Sequence, residues 1–244
     1  MKHQYNSEEL LTRFEDRREI INLAARYSAD FLLKEEKGMY QNYWSKRSDI
    51  TLAFNDGYYV GPEDVSKYYE SLYERNFKMS KLLQKRFPEK LGNLSDEEVY
   101  GVGMIGYKPL DTGVVEIAED RQTAKGIWFI RGSYVDLTTG GPLSYWVWGW
   151  LAADFIYENN EWRFWHVMEV YDIHSPCSYS WSKPFDGLPE MPEFAEMADI
   201  KIYPPTVKTT VRELYNTGRK STPPPEFPKP YKTFDETFSY GYGG

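Results

Sequence analysis

The residues able to move a proton are few and unevenly placed. Three histidines occur in 244 residues, at positions 3, 166 and 174. His166 stands in the run Trp162-Arg163-Phe164-Trp165-His166-Val167-Met168-Glu169-Val170-Tyr171, which reads as a strand. Strict alternation groups His166 with Trp162, Phe164, Met168 and Val170, an apolar neighbourhood. An imidazole there is either a hydrogen-bonded core residue or a general base whose pKa lies near working pH. Asp30 is a carboxylate beside an apolar helical stripe, an exposed edge residue or a perturbed acid. Tyr27, Tyr40 and Tyr107 are phenols that could donate to a developing oxyanion in a dry pocket, or simply pack. Arg131, in an apolar strand, could orient a polar substrate group or pair with Glu169 or Asp154. His174, close to Asp172 at the strand end, is either a rim residue or a solvated one.

Several chemistries are set aside. The three histidines form no zinc triad and no carboxylates cluster as a hard-metal cage, so no metal is expected. Gly101-Val102-Gly103-Met104-Ile105-Gly106 has the letters of a dinucleotide fingerprint, but no apolar strand precedes it and Tyr107-Lys108-Pro109 follows instead of a helix. No cofactor is expected. No nucleophile elbow appears, and the single cysteine, Cys177, rules out an internal disulfide framework.

The elements that must position these groups follow from periodicity and turn chemistry. Residues 1–15 read as a helical lead-in, and Ile20, Leu23, Ala24, Tyr27 and Phe31 mark an amphipathic helix over 16–37. Tyr40 and Trp44 fall in a second, short helix, and Asn55-Asp56-Gly57 is a turn between two short strands. Gly61-Pro62-Glu63-Asp64 opens a helix, with proline in its first turn and acids at the positive end of its dipole. Residues 78–98, charged and broken by Pro88 and Gly92, read as a mobile helical insertion, a solvated flap or a lid. Strands follow over Gly113–Ile117 and Thr123–Tyr134, then the Asp136–Gly141 turn. A long hairpin closes the domain, its two strands joined at Glu158-Asn159-Asn160-Glu161. Residues 176–244, rich in proline from Pro184 and Pro189 to Pro230, carry Tyr179, Trp181, Phe185, Phe227, Tyr231 and Phe234. That composition describes an arm docked on its own domain or on a neighbour.

A formal charge of −8 argues against nucleic acid or an anionic membrane as partner. The N-terminus lacks a signal-peptide core and no apolar run approaches a spanning length, so a cytoplasmic protein is expected. Aromatic residues make up 17% of the chain, including 21 tyrosines, enough to wall a pocket as well as fill a core.

This order of elements resembles the nuclear transport factor 2-like superfamily, in its SnoaL-like branch, over roughly residues 16–175. The stretches REIINLAARYSADF, YYVGPEDVSKYYESLY, IAEDRQTAKGIWFIRG and IYENNEWRFWHVMEV carry the likeness. NNEWRF is similar to the family's closing motif without its usual glycine. The resemblance implies an α+β cone, with N-terminal helices packed on a strongly curved, mostly antiparallel sheet and a pocket open at one end. The family includes polyketide cyclases, scytalone dehydratase, ketosteroid isomerase, carbon–carbon lyases and noncatalytic subunits of ring-hydroxylating dioxygenases. Where scytalone dehydratase has its tyrosine and aspartate, this chain has Phe31 and Leu32, with Tyr27 and Asp30 slightly earlier. Where that enzyme has its two histidines, this chain has Tyr107 and Trp146 or Trp148.

The resulting expectation is a cofactor-independent lyase, dehydratase or isomerase acting on a hydrophobic aromatic or polycyclic small molecule. His166 is the base, Tyr27 or Tyr107 holds oxygen charge and Asp30 orients. The binding wall is Phe31, Tyr40, Trp44, Trp128, Trp148 and Met168, with Arg131. The competing expectations are a polyketide cyclase and a noncatalytic binding or structural subunit. A homo-oligomer, dimer or trimer, with the arm at its interface completes the reading.

Overall fold

The structure is a computed structural model, and it describes residues 5–33, 35–137, 143–181, 201–218 and 220–243. The Thr138–Gly141 part of the expected turn, and Pro184, Phe185, Pro189 and Pro192 of the expected arm, lie outside the described residues.

The chain opens with α1 (Ser7–Leu33) and α2 (Glu36–Tyr43). Asn6 and Glu9 exchange side-chain and backbone hydrogen bonds of 2.9 and 3.0 Å across the first turn. That reciprocal cap starts α1 within the expected lead-in. Ile20, Ala24 and Tyr27 form its buried stripe. A short hairpin follows, β1 (Thr51–Phe54) and β2 (Gly57–Val60), and then α3 (Pro62–Arg86). α3 runs well into the segment read as an insertion because Met79, Ser80 and Leu83 continue its buried face. Two short helices complete that segment, α4 (Pro88–Leu91) and α5 (Asp96–Val99), the latter closed by a capping box between Ser95 and Glu98.

The sheet is completed by β3 (Gly106–Tyr107), β4 (Leu110–Ile117), β5 (Thr123–Asp136), β6 (Leu143–Glu158), β7 (Glu161–Pro176) and β8 (Val207–Lys208). The strand order is β3-β5-β6-β7-β1-β2-β8, with β4 also paired to β5. Every pairing is antiparallel except β1 with β7. Asn159 and Asn160 both take the left-handed conformation at the β6–β7 turn, as a two-residue hairpin requires. This is the expected α+β arrangement of helices against one sheet. The helix-facing side holds the main core, with Trp44, Tyr69, Phe155 and Phe164 at its centre.

From Arg212 onward the arm lies across the other side of the same sheet. Arg212 donates to Asp172 at 2.8 Å, Phe227 packs on Trp150, and Tyr240 N donates to Asp154 at 2.9 Å. Beneath it Lys125 and Asp154, both 0% exposed, form an ion pair at 2.6 Å. No helix among the described residues is long and apolar enough to cross a membrane.

One irregularity decides which side chains reach the helix-facing side. Asp154 and Phe155 are consecutive on β6, but their partners on β7 are His166 and Phe164, so Trp165 is an extra residue in a bulge. The bulge breaks strict alternation. Phe164 stays in the main core, whereas His166 and Met168 turn to the arm side and Val167 and Glu169 turn inward.

Candidate functional site

A cavity of about 520 Å³ opens between α3, the end of α1, the β1–β2 hairpin and β7. One α3 face supplies Tyr68, Leu72, Asn76 and Met79, spaced three or four residues apart so that they share a side of the helix. Its rim includes Met104, Ile105 and Gly106, from the stretch with the letters of a dinucleotide fingerprint. Gly101 and Gly103 are in the left-handed conformation there, and the segment is a loop against the cavity, not a helix start.

Beside it a small pocket of about 10 Å³, sharing Phe31 and Lys108 with the cavity, is also lined by Tyr27 and Glu169. Glu169 is 1% exposed. Lys108 Nζ donates to its Oε1 at 2.6 Å, and the Tyr171 hydroxyl donates to the same oxygen. The ammonium also sits 4.6 Å above the Phe31 ring, and the Ser28 hydroxyl donates to the Lys108 carbonyl, fixing the backbone. Lys108 lines both the small pocket and the wide cavity, so the ion pair has one buried member and one that reaches the cavity wall.

Phenols surround the carboxylate. Burial raises Tyr27, Tyr68 and Tyr171 well above the ordinary phenol pKa, and the Glu169 charge adds to each. They are therefore protonated donors at any physiological pH. Tyr27 is tied inward, sharing a 2.9 Å hydrogen bond with Tyr69, which accepts another from Trp44 Nε1 at 3.1 Å. Tyr68 is different: it lines the cavity, is 7% exposed, and its hydroxyl has no hydrogen-bond partner among the described residues. The far wall holds a second buried carboxylate, Glu36, which accepts from Asn76 Nδ2 at 2.9 Å and Tyr100 at 2.7 Å.

Of the residues selected from sequence, Phe31 lines the cavity and Tyr27 only the small pocket beside it. The others stand elsewhere. His166 faces the arm side, shares a 2.9 Å hydrogen bond with Thr51 Oγ1, and lies so close beneath Gly241 that a Cβ there would come within 2.7 Å of its ring. Burial lowers its pKa, opposed by Asp154 and Asp49 and reinforced by Lys125 and Arg47. Met168 packs with Tyr240 on that same side, and Trp148 shares it by alternation along β6. Asp30 accepts from Tyr43 at 2.5 Å outside the cavity. Tyr107 is 51% exposed because β3 is an edge strand. Arg131 is 65% exposed and pairs with Asp111 at 3.5 Å, not with Glu169 or Asp154, whose lysine partners are closer. Trp44 and Trp128 are core residues, and Tyr40 lies under Lys46, 3.7 Å from its ring centre. His174 stands at the rim, sharing a 2.6 Å hydrogen bond with Tyr134 of the cavity wall.

Lys108, Glu169, Tyr171 and Tyr68 carry the polar end of the site, and sequence reasoning assigned none of them. A glutamate within an otherwise apolar strand was the available signal, since burying a carboxylate requires a partner.

No family model and no curated protein matches the chain. Solved structures align with part of it at low identity. A Kfla4162 protein from Kribbella flavida is 19% identical, over 67% of this chain and 95% of its own, at a TM-score of 0.47. An NTF2-like protein with a cystatin-like fold from Novosphingobium aromaticivorans is 14% identical, over 69% and 92%, at 0.43. A hexachlorocyclohexane dehydrochlorinase from Novosphingobium barchaimii is 14% identical, over 71% and 98%, at 0.47. The likeness is one of chain arrangement, and no residue's role is carried across from it.

Proposed function

We propose that this chain is a cofactor-independent enzyme of the lyase or isomerase type, moving a proton on an uncharged, hydrophobic, ring-bearing small molecule. One observation carries the reading: Glu169, almost fully buried behind the wall of a ligand-sized cavity, is paired with a lysine that lines that cavity and still has protons to donate. The Tyr68 hydroxyl and Lys108 Nζ receive a substrate carbonyl oxygen, and Glu169 takes the proton from the adjacent carbon. The C–H electron pair moves into the new carbon–carbon double bond as the carbonyl pair moves onto oxygen, where the ammonium and the phenol hold it. Returning the proton to another carbon completes an isomerisation. Expelling a β-hydroxyl that takes a proton from Lys108 completes a dehydration. Tyr171 keeps the carboxylate aimed, and Phe54, Leu72, Met79 and Ile202 give the substrate's ring apolar contact.

A noncatalytic subunit would need the arm's aromatic residues free for a partner, and the arm's described contacts at Arg212 and Tyr240 are with its own sheet. A homo-oligomer stays part of the proposal, with its interface unassigned.

The test is deuterium exchange in heavy water. Uncharged bicyclic aryl ketones such as 2-tetralone are incubated with the protein, and incorporation next to the carbonyl is followed by proton NMR. Saturable acceleration above the buffer rate is expected. Ketones that bind, by tryptophan fluorescence, yet exchange only at the buffer rate would leave a binding protein and no enzyme.

A further inference from the structure

The cavity has a wall that does not belong to the helices or the main sheet. Ile202, Tyr203, Pro204 and Pro205 of the arm line it. The segment is fixed on both flanks. Tyr203 N donates to Ser71 Oγ at 2.8 Å, its carbonyl accepts from the Tyr59 hydroxyl at 2.6 Å, and its own hydroxyl donates to Asp64 at 3.2 Å. Just beyond, β8 pairs with β2. The approach is so close that a Cβ on Gly57 would lie 2.3 Å from the Val207 carbonyl oxygen and 2.7 Å from Pro205. Only a residue without a side chain admits the arm at this point.

The arm closes the aromatic part of the cavity. Phe54, Tyr59 and Tyr68 contact one another with ring centres 5.0 to 6.2 Å apart, and Tyr203 extends the group at 6.1 Å from Tyr59. The remaining arm residues in the wall, Ile202, Pro204 and Pro205, offer only apolar side chains. The cavity thus has hydrogen-bonding groups at Lys108 and the Tyr68 hydroxyl and, across the aromatic group to which the Tyr68 ring belongs, a wall of apolar arm side chains.

We propose that the arm is the specificity wall of this site. It receives the non-reacting apolar ring of a ligand whose oxygen-bearing end sits at Lys108 and Tyr68, and Ile202 sets how large that ring can be. The assignment rests on the proposed oxygen pole and adds a residue segment and a ligand shape to it. The ligand class is an uncharged compound with one oxygen-bearing ring and at least one further fused ring, in preference to a single-ring analogue.

The experiment is isothermal titration of the full-length protein with 2-naphthol and with phenol, repeated for Ile202→Trp, Gly57→Ala and Tyr68→Phe, each with a thermal melt. The expected result is that Ile202→Trp and Gly57→Ala weaken 2-naphthol by about tenfold, the scale on which a hydrophobic pocket rejects a misfitting group, and leave phenol within about twofold. Tyr68→Phe weakens both ligands. Equal effects of Ile202→Trp on both, or none on either, overturn the arm's role while Tyr68→Phe still reports on the oxygen pole. Failure of both ligands to bind the unmodified protein overturns the pole and the arm assignment together.

Discussion

Tyr171 and Glu169 stand two residues apart on β7, and the phenol donates its proton to the carboxylate from the same side of the strand. Two-residue spacing is what makes this possible, because side chains at that interval share a face. The consequence is a carboxylate whose Oε1 is held by both Tyr171 and Lys108, the two residues that stand between it and the cavity.

Separating the structural from the chemical part of that pair needs two variants. Lys108→Met leaves Glu169 buried without a counter-charge and should cost about 1–3 kcal/mol by urea denaturation, less than a fully buried pair because Lys108 is partly exposed. The double variant Lys108→Met with Glu169→Met should recover most of that stability and none of the exchange activity. Activity in the double variant would show that the pair serves the fold alone.

His166 should behave as a structural residue. His166→Ala removes the partner of Thr51 and opens space under Gly241, for a loss of about 1–3 kcal/mol. Ketone exchange should continue at the unmodified rate in the folded fraction. Abolished exchange with an unchanged melt would return the imidazole to the centre of the chemistry.

The same ring gives stability a pH dependence of known sign. Burial beneath Gly241 and against Trp165, reinforced by Lys125 and Arg47 and only partly opposed by Asp154 and Asp49, lowers its folded-state pKa below the unfolded value of about 6.5. Its contribution is therefore complete above about pH 6.5 and is lost as the pH falls, since the unfolded chain then binds the extra proton. Between neutrality and about pH 5 the unmodified protein should lose more stability in urea than His166→Gln does. Parallel losses would contradict the shift.

Asp154 connects the buried ion pair to the end of the arm, with Oδ1 on Lys125 and Oδ2 accepting from Ser239 Oγ at 2.8 Å and Tyr240 N at 2.9 Å. Asp154→Ala should cost about 3–5 kcal/mol and expose residues 232–243 to limited proteolysis. Asp154→Asn keeps one acceptor oxygen and should protect the segment better. Identical cleavage in both variants and the unmodified chain would mean that the arm is held elsewhere.

Much of the fold could be read from the sequence because its signals are local. The stripe of Ile20, Ala24 and Tyr27, the Asn55-Asp56-Gly57 turn, proline opening α3 and the Asn159-Asn160 hairpin all act within a few residues. The site was less legible for one physical reason. A single extra residue at Trp165 inverts the sidedness of His166 relative to Phe164, and no local pattern in the sequence announces a bulge. Lys108 was hidden differently. It lies 61 residues from Glu169 in the chain, in a segment that contributes only the two-residue β3, so only the folded sheet brings the two together. The place of residues 202–205 in the cavity wall was not legible, because it depends on Gly57 yielding space, which is a tertiary contact.

The central claim is that Glu169 takes the proton, and Glu169→Gln tests it while preserving shape and one hydrogen-bond acceptor. In heavy water, with a ketone the protein binds, the exchange rate should fall by about a hundredfold to ten-thousandfold with the melting temperature and ketone affinity nearly unchanged. Exchange at the unmodified rate in a folded, ligand-binding Glu169→Gln variant would contradict the account.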